Sequence, residues 1–210
     1  MVFSSISFIF VFLPLFFAVY ALVPQRAKNS VLFAGSLIFY ALGDAGYTLL
    51  LFACVCVNYV ISKKIASSEG KKKRLFLTLG LLYDFGLLIY FKYADFLMEI
   101  ISVIFSQFGH TLSYEPMNLL LPLGISFYTF QISSYLMDVY DKKTEAAPSV
   151  VHLGAYLCMF PQLIAGPIVE YKEVSQELKN RTVTPEKADT GMKIFTLGLA
   201  FKVLLANVLS

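Results

Sequence analysis

An all-α, polytopic integral-membrane fold is what this sequence predicts, and three observations predict it. The chain is 58% hydrophobic and 15% charged, where a soluble domain is nearer half apolar and a quarter charged. Its apolar residues fall into about eight runs of helical length. Its lysines and arginines gather in short clusters beside those runs, as they do on the cytoplasmic side of a membrane. The net charge of +3 is small and unevenly placed, so the expected partner is the lipid bilayer and not nucleic acid.

The elements follow in order. Residues 1–23 are apolar with no basic residue before Arg26, which predicts a retained first span and not a cleaved signal peptide. Arg26 and Lys28 follow it, placing the N-terminus outside and this loop inside. Residues 30–61 are too long for one crossing: a straight helix of that length would run roughly 48 Å against a bilayer core of about 30 Å. Gly43-Asp44-Ala45-Gly46 offers a turn in the middle, so two spans are expected with that turn outside. The second returns to a basic cytoplasmic loop at 61–74, holding Lys63, Lys64 and Lys71-Lys72-Lys73-Arg74.

Residues 75–91 and 94–108 are the next two runs, joined by Lys92-Tyr93, and 117–137 and 149–169 come after them. Residues 170–190 are charged, with Tyr171, Val174 and Leu178 at three- and four-residue steps, which predicts an amphipathic helix on the membrane surface. Thr184-Pro185-Glu186 reads as a helix start. The last run, 191–210, ends without a stop signal or basic tail, which predicts the front part of a longer protein. There is no internal repeat of the kind transporters use. The whole is expected to be one transmembrane domain, some of its segments re-entrant.

Three stretches carry polar groups where lipid would forbid them. In "LPLGISFYTFQISSYLMDVY", Gly124, Tyr128, Gln131, Tyr135 and Asp138 recur at steps of four, three, four and three, which puts them on one helix face. Unpaired polar groups cannot face hydrocarbon, so Tyr128, Gln131, Tyr135 and Asp138 are candidates to line an interior tunnel; a structural hydrogen-bond seam is the competing reading. In "FPQLIAGPI", Pro161 and Pro167 each remove a backbone donor and Gly166 loosens the chain. Pro161, Gln162, Gly166 and Pro167 therefore mark a broken or re-entrant helix of the kind that lines protein or water. In "YDFGLLIYFKYADF", Asp84 is an intramembrane charge in search of a partner, while Lys92 and Asp95 among aromatics read as an interfacial anchor.

Other residues carry less. His110 falls in a polar loop, and His152 is expected at an interface. Neither has a Ser, Cys or carboxylate partner at useful spacing, so no triad is drawn and no residue is assigned a catalytic role. Cys54, Cys56 and Cys158 are inert core thiols, with no metal-ligand spacing around them. Asn180-Arg181-Thr182 matches a glycosylation sequon but falls on a loop expected inside.

Taken together, "MVFSS", "YFKYADF", "LPLGISFYTFQISSYLMDVY", "FPQLIAGPI" and "GLAFKVLLAN" resemble the membrane-bound O-acyltransferases, most of all the branch that acetylates alginate in bacteria. The resemblance implies many helices around a tunnel in the bacterial cytoplasmic membrane. It implies an acyl donor on the inside, acetyl-coenzyme A or an acyl carrier protein, with no resident cofactor. It also implies partner acyltransferases in the periplasm or outside, and acceptor hydroxyls on an exported polysaccharide. The family's catalytic histidine lies in the second half of the fold, beyond this chain, so the isolated chain is expected to be inactive: acyl transfer to a hydroxyl calls for a base. The last motif departs from the family, with Phe201-Lys202 and Asn207 where a lysine pair and an aspartate are usual. A small transporter or channel component and a non-catalytic membrane scaffold are the alternative readings.

Overall fold

The computed structural model describes residues 5–107, 114–163 and 168–206, and every regular element among them is helical. A π-helical stretch, Phe8–Phe12, leads into α1 (Leu13–Leu22). This helix stops because Val23 precedes Pro24 and takes the extended conformation that a pre-proline residue favours. Phe8 and Phe16 pack with Phe39 and Phe160 in a phenylalanine cluster, with ring centroids 5.1 Å apart for Phe16 and Phe160.

The expected turn at Gly43–Gly46 is present. It separates α2 (Lys28–Gly43) from α3 (Thr48–Ser67), and Thr48 Oγ1 donates to the Asp44 carbonyl across it at 3.0 Å. Among the described residues, one helical stretch, Ala45–Ser67, is long and apolar enough to cross a membrane, and Phe8–Leu22 is a shorter apolar helix.

Two sequence expectations give way here. The basic segment at 61–74 is almost wholly helical: α3 runs to Ser67 and α4 starts at Gly70, leaving two residues between them. Lys92-Tyr93 is no link either, because α4 is one helix of 38 residues, Gly70–Gln107. Charge alone does not end a helix, and neither Gly nor Pro stands near residue 92 to do so. Gly80 lets α4 approach closely, since a Cβ there would meet Leu136 Cδ1 at 2.7 Å and Ile61 Cγ2 at 3.1 Å.

Residues 114–122 are not helical, and α5 is Ile125–Tyr140, later and shorter than the expected run. Pro116 and Pro122 interrupt the backbone ladder, and Gly124 opens α5 at φ +72°, a left-handed conformation that glycine adopts freely. At the far end Lys143 N–H donates to Asp138 O (2.9 Å) and Lys142 N–H to Val139 O (3.2 Å). That is a Schellman closure with Lys142 at φ 60° in the usual glycine place.

Among the described residues, the 149–169 run is interrupted after Leu157. α6 (Val150–Leu157) is followed by α7 (Phe160–Leu163); Pro161 has no N–H to offer the Leu157 carbonyl, so α6 cannot continue. Phe160 N–H is taken instead by Ser36 Oγ at 3.1 Å. Gly166 and Pro167 lie outside the described residues, as does His110. α8 (Tyr171–Lys179) buries Tyr171 and Leu178 and leaves its charged side exposed. α9 (Pro185–Phe201) starts where Thr184-Pro185-Glu186 predicts, ahead of the apolar run at 191, and Thr184 caps it by accepting from Lys187 N–H.

The interior is mainly apolar and holds a few polar side chains, while large apolar side chains also cover the exterior. Phe10, Leu15, Leu49, Leu82 and Leu204 are among the exposed large apolar side chains, while Ser36, Asn58, Ser62 and Gln131 are fully buried.

Candidate functional site

α5 packs against α3, α4 and α6. Tyr128, Gln131 and Tyr135 of the polar stripe are buried, and the side chain of Asp138 is 14% exposed. The apolar residues on the rest of α5 do not face outward as a group: Ile125, Ile132, Leu136 and Val139 are buried too, and Phe130 and Met137 are its exposed large hydrophobics. Tyr128 joins Tyr40, Cys54 and Cys158 in one core cluster. Its hydroxyl and the Ser133 hydroxyl have no hydrogen-bond partner. The Gln131 amide lies beside the Tyr156 hydroxyl without a well-formed hydrogen bond. Gln162 Nε2, next to the α6–α7 break, is likewise buried and unpartnered. Unsatisfied interior polar atoms are rare in folded proteins and call for an explanation.

Tyr135 and Asp138 are better supplied. Tyr135 Oη accepts from Ala147 N–H at 2.8 Å, and its ring meets Tyr171 edge-on at a centroid distance of 4.8 Å. Tyr171 in turn meets Tyr156 at 5.1 Å, and Tyr156 Oη donates to the Val169 carbonyl at 2.8 Å. This tyrosine triad ties α8 to the bundle. Asp138 lies 3.7 Å from Lys143 Nζ. Tyr135→Phe keeps the ring but orphans the buried Ala147 amide. It is expected to cost about 1–3 kcal/mol, read as a lower thermal midpoint in detergent.

A second polar assembly was not legible from sequence. Arg181, just past α8, donates from its two terminal nitrogens to Tyr20 Oη and to Asn29 Oδ1. Asn29 Nδ2 donates to the Leu178 carbonyl at 2.9 Å and faces His152 Nε2 at 3.1 Å. That nitrogen is therefore the acceptor, and the imidazole proton sits on Nδ1, directed at Ser149 Oγ 2.9 Å away. So His152 does have a serine neighbour, contrary to the sequence expectation. Ser149 is the α6 N-cap and also accepts from His152 N–H. With Nε2 turned to an amide, the pair is a helix-start contact and no nucleophile–base couple. Asn29, Arg181 and Tyr20 gave no signal because their partners lie more than 120 residues away in the chain.

The two ends of the bundle differ in sign. At one end Lys73 Nζ donates to the Tyr140 carbonyl at 2.5 Å and stands over the Tyr140 ring at 5.0 Å. Hollows of about 350 and 300 Å³ there are lined in part by Lys142, Lys143, Lys172 and Lys179. At the other end, Asp44 accepts from Leu123 N–H at 3.1 Å. There too Asp95 accepts from Tyr114 Oη and from the amides of Met117 (2.9 Å) and Asn118 (3.1 Å). A hollow of about 500 Å³ opens beside it, with Glu99 on its wall. Lys92 does not pair with Asp95 but lies over Tyr93 at 5.3 Å.

Asp84 is buried in α4 and accepts from Asn58 Nδ2 of α3 at 2.7 Å. Cys54 and Cys158 are buried free thiols and Cys56 is half-buried. No grouping of metal-ligating side chains occurs among the described residues.

Over its full length the chain is 38% identical to the probable alginate O-acetylase AlgI of Pseudomonas putida, covering 44% of that protein. It is equally similar to the protein of the same description from Azotobacter vinelandii, covering 42% of it. A peptidoglycan O-acetyltransferase of Helicobacter pylori is 34% identical over 99% of the chain, which covers 45% of that relative. The chain thus spans less than half the length of these curated relatives. No protein-family model and no solved structure matches it.

Proposed function

We propose that the chain is part of a membrane-bound O-acyltransferase and takes part in moving acyl groups, acetyl above all, through the cytoplasmic membrane to hydroxyls of an exported polysaccharide. The observation that carries this reading is similarity along the entire chain to enzymes described as acetylating two different polymers, alginate and peptidoglycan. Both polymers present sugar hydroxyls, so the acceptor class is the sugar hydroxyl, with an alginate-type polymer as the first substrate to test.

The multi-pass membrane setting is supported by the exterior, where exposed Phe, Leu and Ile form an apolar surface that suits hydrocarbon, not water. The basic end, with Lys73, Lys142, Lys172 and Arg181, faces the cytoplasm, and the end with Asp44 and Asp95 faces out, which puts the N-terminus outside. The acyl donor, a coenzyme A thioester or an acylated carrier protein, approaches from the basic end. The accepting partner proteins and the polymer lie at the other.

In this reading Tyr128, Gln131, Tyr135 and Asp138, with Pro161 and Gln162 at the α6–α7 break, mark the course of the passage. The buried, unpartnered atoms of Tyr128, Gln131 and Gln162 are groups that a thioester or acyl oxygen would engage once the helices part to admit it. No histidine among the described residues is placed as the base that hydroxyl acylation needs, so this chain guides and does not turn over alone.

Deleting the gene in its own bacterium should remove O-acetyl groups from the exported polysaccharide, and its return should restore them. Unchanged polymer acetylation would refute the reading. The purified chain in proteoliposomes, given an acetyl thioester and sugar polymer, should give no turnover above background; measurable turnover would remove the guiding-only role.

A further inference from the structure

The Asp84–Asn58 contact between α4 and α3 has an unbalanced hydrogen-bond inventory. Asn58 Nδ2 donates to Asp84 Oδ1 at 2.7 Å and also to the Cys54 carbonyl at 3.1 Å. Asn58 Oδ1 and Asp84 Oδ2 are both buried with no partner. The residues themselves are 0% and 3% exposed. If Asp84 were a carboxylate, two acceptors of one joined pair would both be orphaned, and the negative charge would have no counter-ion.

No counter-ion is near. Among the described residues no lysine, arginine or histidine forms an ion pair with Asp84. The groups beside the pair are neutral ones from two helices. Cys54 comes from α3, and Tyr83 of α4 donates to its Sγ at 3.7 Å. An unpaired carboxylate in such surroundings is strongly disfavoured. A single proton removes both orphans.

We propose that Asp84 is a proton-binding site: the folded protein holds it as the neutral acid, with Oδ2–H donating to Asn58 Oδ1 while Asn58 Nδ2 donates to Asp84 Oδ1. The pair is then a cyclic acid–amide clasp with both groups satisfied, fixing α3 to α4. The ligand is the proton. Losing it would break the clasp and leave a bare charge between two helices, so the site and the helix contact stand or fall together. This inference concerns the chain itself and is independent of the acyl-transfer reading.

The test uses the full chain in detergent at neutral pH. In infrared spectra, the difference between wild type and Asp84→Asn should contain the carbonyl stretch of a protonated carboxylic acid, lost in the variant. Asparagine reproduces the clasp as an amide–amide pair, so Asp84→Asn should melt within a degree or two of wild type, whereas Asp84→Ala should melt clearly lower. Loss of carboxylate bands alone in the difference spectrum overturns the proposal. An Asp84→Asn variant that fails to fold, or melts as low as Asp84→Ala, overturns it as well, because it shows that the charge is required.

Discussion

Gly124→Val should be among the most damaging single substitutions in this chain, costing about 3 kcal/mol or more. Two independent facts set that size. At φ +72° a β-branched residue is strained whatever its neighbours. In addition, a Cβ at residue 124 would lie 2.6 Å from the Leu163 carbonyl oxygen, a backbone atom that cannot swing aside. The substitution should separate the start of α5 from α7 and lower the detergent melting temperature, with a sharp fall in the folded fraction on size-exclusion chromatography. Gly124→Ala meets the same oxygen with a smaller side chain and should lose less than valine. A Gly124→Val protein that melts like wild type would mean that α5 does not begin against α7 at all.

Asn29→Ala is the second large effect expected. The Asn29 amide serves Leu178 O, His152 Nε2 and Arg181 together, so its removal leaves a carbonyl, an imidazole nitrogen and a guanidinium short of partners. The cost should be roughly 2–4 kcal/mol. Its local signature is more telling than its size: α8 and the stretch through Arg181 should gain hydrogen exchange and proteolytic cleavage while α3 and α4 stay protected. Arg181→Met should reproduce part of this, since Leu178 and His152 keep their contact with Asn29. Uniform loosening of the whole bundle would contradict a role confined to holding α8.

What the sequence made legible follows from where each signal resides. The turn between α2 and α3 could be read because bilayer thickness forbids one long span and Gly43 to Gly46 supplies the break. The α6–α7 break could be read because Pro161 has no amide hydrogen, a local fact. The polar stripe of α5 was legible as a stripe. Burial around most of that helix was not, because periodicity reports which residues share a face and not how many neighbours surround them. The continuity of α4 was not legible, because a charge between two apolar runs looks like punctuation, although lysine and tyrosine both tolerate a helix interior. The Asn29–Arg181–His152 assembly left no trace, since each partner is ordinary in its own neighbourhood and only the fold brings them together.

The apolar exterior also dictates how the molecule must be handled. Phe10, Leu15, Leu49, Leu82 and their neighbours give it an oily coat around a core that is itself mostly apolar and encloses a few amides and hydroxyls. Diluting away the amphiphile should therefore drive molecules together through that coat instead of releasing a stable bundle into buffer. A lysine placed at Leu82 should harm insertion into a bilayer more than the same residue on the charged side of α8.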